Sequence, residues 1–145
     1  MSVYLRIRHR FGPRLSEWAI ATVITLWGVV LLLPADTMEG PSWVVFRELL
    51  PEHVWGALMI SLGLLRLGGL IVNGARRTIT PWIRMVSACV GVVLFIGISA
   101  GFGLSGVIGT WIAVYPTFVV VELFNIHRAA HDVGGGDAAA TARTT

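Results

Sequence analysis

Arg66 and Glu122 are the first residues of this 145-residue chain to demand a chemical explanation, because each stands inside a long apolar run. A charge at the centre of a bilayer costs roughly 2.5–3.5 kcal/mol even on lenient insertion scales, so such a group faces protein or water and usually has a partner. At about 1.5 Å of rise per residue, Arg66 lies roughly 10 Å inside the end of its run near Asn73, and Glu122 about 5 Å inside an end near Asn125. An arginine side chain can span that difference. Glu17, in the first turn of the first apolar segment, sits at a similar height, so the spacing leaves Arg66 two candidate partners, Glu122 and Glu17. Two roles are open to a buried ion pair of this kind. It can serve an ion, proton or lipid path, or it can simply pin helices together, which is the plainer reading.

The remaining reactive side chains form no catalytic constellation. His127 and His131 are four residues apart and Asp132 adjoins them, which permits a surface metal site. Two histidines on an exposed basic helix end are more often just solvated, so no metal is expected. No histidine falls in the middle of an apolar run, which argues against haem held between spans. Cys89 is the only cysteine, so an intramolecular disulfide and a CxxC centre are both excluded. The serines and threonines lack an accompanying His/Asp arrangement. Gly103-Leu-Ser-Gly-Val-Ile-Gly109 lacks the strand–helix setting of a phosphate-binding loop. The sequence predicts no enzyme and no cofactor.

The elements that must position these groups are membrane helices. The chain is 55% hydrophobic and 13% charged, with a mean hydropathy of +0.77. A soluble domain carries about twice that charged fraction. All 11 basic residues are arginine and the net charge is +3. They flank apolar runs rather than forming a polar basic face, so nucleic acid is not an expected partner. The fold class read from this pattern is all-α: a polytopic four-transmembrane-helix bundle. Its spans cover about 15–33, 54–72, 82–100 and 107–124, each near the 20 residues a bilayer needs. A basic segment, 1–14, precedes a membrane domain of 15–132, and the glycine- and alanine-rich 133–145 reads as a disordered tail.

Local signals place the boundaries. Pro13 and Ser16 mark a helix start, and Pro34 ends the first span. The long acidic connection that follows contains Pro41-Ser-Trp-Val-Val-Phe-Arg-Glu-Leu-Leu50. This reads as a short helix at the membrane interface, with Trp43, Phe46 and Leu50 on one side. Thr80-Pro81 opens the third span as N-cap and first helical residue. Glycine-rich 101–109 predicts a tight hairpin between spans three and four, and Pro116 predicts a kink in the fourth. Small residues at helical spacing predict close helix contact: Gly56, Gly63 and Gly69 around Arg66, then Ser87 with Gly91 and Gly97 with Gly101. Orientation follows from arginine asymmetry. Arg6, Arg8, Arg10, Arg14, Arg76, Arg77, Arg84, Arg128 and Arg143 fall on one side and Arg47 on the other, which puts both termini in the cytoplasm. The basic side would also touch lipid headgroups.

Two stretches carry a resemblance. Asn73-Gly74-Ala-Arg76-Arg77-Thr-Ile-Thr-Pro81-Trp-Ile-Arg84 and Tyr115-Pro116…Glu122-Leu-Phe-Asn125-Ile-His-Arg128-Ala-Ala-His-Asp132 resemble segments of small four-span membrane proteins of tailed bacteriophages and prophages, some of them holin-like. The resemblance covers roughly the second half of the chain and rests on loop and helix-end residues. It implies a viral or prophage inner-membrane protein that self-assembles as a homo-oligomer or with a membrane-protein partner, and it transfers no functional residue. A structural or accessory membrane subunit is the alternative. A small dimeric transporter is a third class, although Glu17 lies at the edge of the first span rather than inside it.

Overall fold

The computed structural model describes residues 14–72 and 80–141, and among them the chain is all-helical. Four long helices and one short one follow in order: α1 (Leu15–Leu31), α2 (Val44–Leu49), α3 (Glu52–Val72), α4 (Thr80–Leu104) and α5 (Trp111–Thr141). A 3-10 turn, Pro41–Trp43, leads into α2. α3 and α4 are long and apolar enough to cross a membrane, yet only 22% and 33% of their apolar stretches are buried within the chain. A core helix of a soluble protein would be mostly covered, so these helices present their apolar surface outward.

The long helices pair as two hairpins, α1 with α3 and α4 with α5. Glycine explains the first pairing. A Cβ on Gly28 would stand 2.6 Å from the backbone nitrogen of Ile60 and 2.8 Å from the carbonyl oxygen of Gly56. A Cβ on Gly63 would stand 2.7 Å from the Thr25 nitrogen and 2.9 Å from its Cα. Backbone therefore lies directly against backbone, which favours association where lipid competes for apolar side chains. Thr25 returns its hydroxyl to the Ala21 carbonyl at 2.8 Å and so remains satisfied at this contact. The second hairpin turns over residues 105–110. Gly106 adopts φ +72°, a left-handed conformation open to glycine at little cost.

One end of the bundle is closed by aromatic rings. Phe46 of α2 is buried, and Gly101 leaves the hollow that receives it: a Cβ there would stand 2.6 Å from the ring. Trp43 packs edge-on against Phe102 with centroids 4.8 Å apart, and Phe102 stacks on Tyr115 at 5.3 Å. Trp55 donates its indole N–H to the Phe46 carbonyl at 2.9 Å. Trp43 and Phe46, expected along a membrane interface, thus face the bundle and cap it. The connection before α2 is held by Glu52, whose carboxylate accepts from the Thr37 hydroxyl, from the Thr37 N–H at 3.0 Å and from the Met38 N–H at 3.4 Å.

Several boundaries differ from expectation. α4 continues four residues past 100, because Gly101 and Phe102 belong to the aromatic cap rather than to a loop. α5 starts at Trp111 instead of 107, and it runs on to Thr141 through a segment expected to be disordered. An established helix extends without a new nucleation step, and Ala138–Ala140 are strong helix formers. Pro116 lies inside α5, which continues through it. Arg6, Arg8, Arg10, Arg76, Arg77 and Arg143 lie outside the described residues.

Candidate functional site

The charged residues that apolar helices carry inward collect where the two hairpins meet. Arg66 of α3 is buried and donates through Nη1 to Oε1 of Glu122 on α5, whose side chain is fully buried. The second oxygen of that carboxylate accepts from Asn125 Nδ2 at 3.0 Å, and Asn125 Oδ1 accepts the hydroxyl proton of Ser16 on α1 at 2.6 Å. A chain of hydrogen bonds therefore runs from α3 through α5 to α1. Gly91 of α4 makes room for it: a Cβ at that position would collide with Glu122 Oε1 and stand 2.6 Å from Arg66 Nη1. The small residue expected to bring two backbones together instead seats an ion pair.

A second network begins at the next residue of α1. Glu17 is buried and receives Arg84 of α4 in a forked arrangement, with Nε at 3.0 and 2.9 Å from its two oxygens and Nη2 at 2.5 Å from one of them. Arg84 Nη1 reaches Asp132 of α5 at 2.5 Å, and the Asp132 side chain is 55% exposed, so this network runs from the interior to the surface. Planar guanidinium–carboxylate forks are strong and directional. Arg14, just before α1, is held below the usual guanidinium range by its partial burial and next by the nearby Arg84 charge. No family model, curated protein or solved structure matches the chain.

Of the two partners open to Arg66, the structure selects Glu122; Glu17 belongs to Arg84. Arg84 was expected at the headgroups and is instead 5% exposed inside the bundle. Among the predicted packing glycines, Gly56 and Gly63 lie in the α1–α3 contact, whereas Gly69 has only Ile83 at ordinary distance, 3.8 Å. Gly97 opens onto free space, and Ser87 is half-buried. Sequence reasoning missed Ser16, Asn125 and Asp132 as partners, and it missed Gly28. The Ala21, Thr25, Gly28 series, small residues on one helical face, was the available signal for the last. His127 and His131 are exposed with their rings 4.6 Å apart. Among the described residues no group of three or more side chains could hold a metal ion.

Beside the two networks, a cleft of about 590 Å³ opens between α3 and α4, which touch only lightly. Leu65, Leu70, Ile83, Val86 and Val90 wall it, while Arg66, Arg84 and Glu17 form its floor. Trp82, half-exposed, stands at its lip. Every buried side-chain nitrogen and oxygen among the described residues has a hydrogen-bond partner. The arrangement ties α1, α3, α4 and α5 together through paired charges.

Proposed function

We propose that this chain is a four-span integral inner-membrane protein of phage or prophage type, both termini cytoplasmic, that assembles with itself in the bilayer and acts in a holin-like way. One observation carries the membrane reading: charge is folded inward in pairs while apolar side chains face outward on all four long helices, for example Leu26, Leu65, Val93 and Val120. In water this surface would be an aggregation hazard; in lipid it is the expected exterior. α1 has 17 residues, about 26 Å of rise, and Leu32-Leu33 extend its apolar run toward the ~30 Å of a hydrocarbon core. Lateral assembly is supported by the apolar side chains that the long helices leave uncovered by the chain itself. The test is induced expression in a bacterial host. Respiration should stop abruptly at a reproducible time; harmless accumulation at high level would eliminate lesion formation.

A structural or accessory subunit is the second reading, favoured because among the described residues every buried side-chain nitrogen and oxygen has a partner. A partner that co-purifies in fixed proportion would select it. Transport is disfavoured because the Glu122 carboxylate is fully engaged by Arg66 and Asn125. Proton-coupled uptake in liposomes that disappears with Glu122→Gln would restore that class.

A further inference from the structure

We propose that the α3–α4 cleft is a seat for one anionic phospholipid, with an acyl chain along its apolar walls and the phosphate at the Trp82 end, drawn toward Arg14, about one turn before the lining residue Glu17. The inference rests on the membrane reading above and names the ligand of that surface. The cleft has the lining for a hydrocarbon chain: leucines on the α3 wall, isoleucine and valines on the α4 wall, with Gly68 leaving free space where a side chain would stand.

Charge selects the headgroup. Arg66 is neutralised by Glu122, while Arg84 is shared between Glu17 and Asp132. Arg14 precedes the floor residue Glu17 by three positions, and among the described residues no carboxylate lies within ion-pair distance of it. Arg128 lies 5.7 Å from the Phe124 ring and makes no ion pair among those residues either. Among the described residues, Arg14, Arg66, Arg84 and Arg128 therefore stand against Glu17, Glu122 and Asp132 in and beside these networks, and the excess is positive. A phosphodiester supplies the missing negative charge, and Trp82 at the lip suits the headgroup level. A zwitterionic lipid brings a phosphate but also a cation that meets the same arginines.

The experiment uses the full chain in nanodiscs containing equal amounts of phosphatidylglycerol and phosphatidylcholine, with acyl-chain bromines on one or the other. The signal is the fluorescence quenching lost when Trp82→Phe is made. Brominated phosphatidylglycerol should quench Trp82 with about fivefold preference over brominated phosphatidylcholine, the factor equivalent to about 1 kcal/mol for one arginine near the surface. Arg14→Gln should bring the ratio close to one. Gly68→Phe should fill the cleft and remove quenching by either lipid while the chain still incorporates. Incorporation with equal quenching by both lipids overturns the lipid seat alone, as does a preference that survives both substitutions. Failure to incorporate into nanodiscs overturns the membrane reading and the seat with it.

Discussion

Arg66 and Glu122 bury a full charge each, and burial makes the pair asymmetric: removing one partner strands the other. Arg66→Met should therefore destabilise the protein by about 3–5 kcal/mol in detergent unfolding followed by circular dichroism. The double variant Arg66→Met/Glu122→Gln should recover most of that loss, since glutamine still accepts from Asn125. Equal losses in the single and double variants would show that the pair is not the source of the effect. A double variant that is stable yet inert in cells would instead assign the charges a role in function. Gly91→Ala tests the socket: the added methyl meets Glu122 and Arg66, at a cost of about 1–3 kcal/mol for overpacking. Gly97→Ala is its counterpart, with open space and a gain of roughly 0.5–1 kcal/mol from helix propensity. The Arg66–Glu122 pair was legible because two isolated charges stood at compatible depths in apolar runs. The Glu17–Arg84 pair was not, although Glu17 was a candidate, because Arg84, one turn into a helix, has the sequence appearance of an ordinary interfacial arginine. Only the approach of the two hairpins turns it inward.

The helices were legible as elements, since apolar runs of span length leave few alternatives, but their ends depended on tertiary contacts. Gly101 and Phe102 look like loop residues until Phe46 arrives from a segment some 55 positions earlier to pack on them. The α1–α3 hairpin depends on backbone contact at Gly28 and Gly63. Gly63→Val should force those helices apart, and a cysteine pair placed across them in a Cys89→Ser background should lose its oxidative cross-linking; undiminished cross-linking would contradict the contact. The connection before α2 responds to acid. Glu52 sits ahead of the apolar run that begins at Val54, and the Thr37 hydroxyl, aided by the Thr37 and Met38 amides, holds its carboxyl below the ordinary 4.5. A depressed folded-state value means the contribution is complete above about 4.5 and is lost as pH falls through the lower folded value. The Thr37 and Met38 amide resonances should therefore titrate with a midpoint below 4.5, and a midpoint at or above it would remove the anchor.

For the whole molecule, two tightly packed hairpins meet across a polar seam, and the orientation proposed for them from arginine asymmetry is open to direct labelling. In a Cys89→Ser background, a cysteine at Thr37 should react with an impermeant maleimide added to intact spheroplasts. A cysteine at Ala130 should react only after permeabilisation. The opposite pattern would invert the topology. The seam also carries a consequence in time. Glu122 follows Arg66 by 56 residues and Arg84 follows Glu17 by 67. At about 5–20 residues per second, synthesis of the later helices lags by roughly 3–13 s. When the first hairpin is complete at Val72, Glu17 and Arg66 both still lack their partners; Arg84 follows 12 residues later and Glu122 50 residues later. In the membrane setting proposed above, assembly is then a two-step loading: Arg84 neutralises Glu17 soon after the first hairpin is made, and Arg66 waits until α5 brings Glu122.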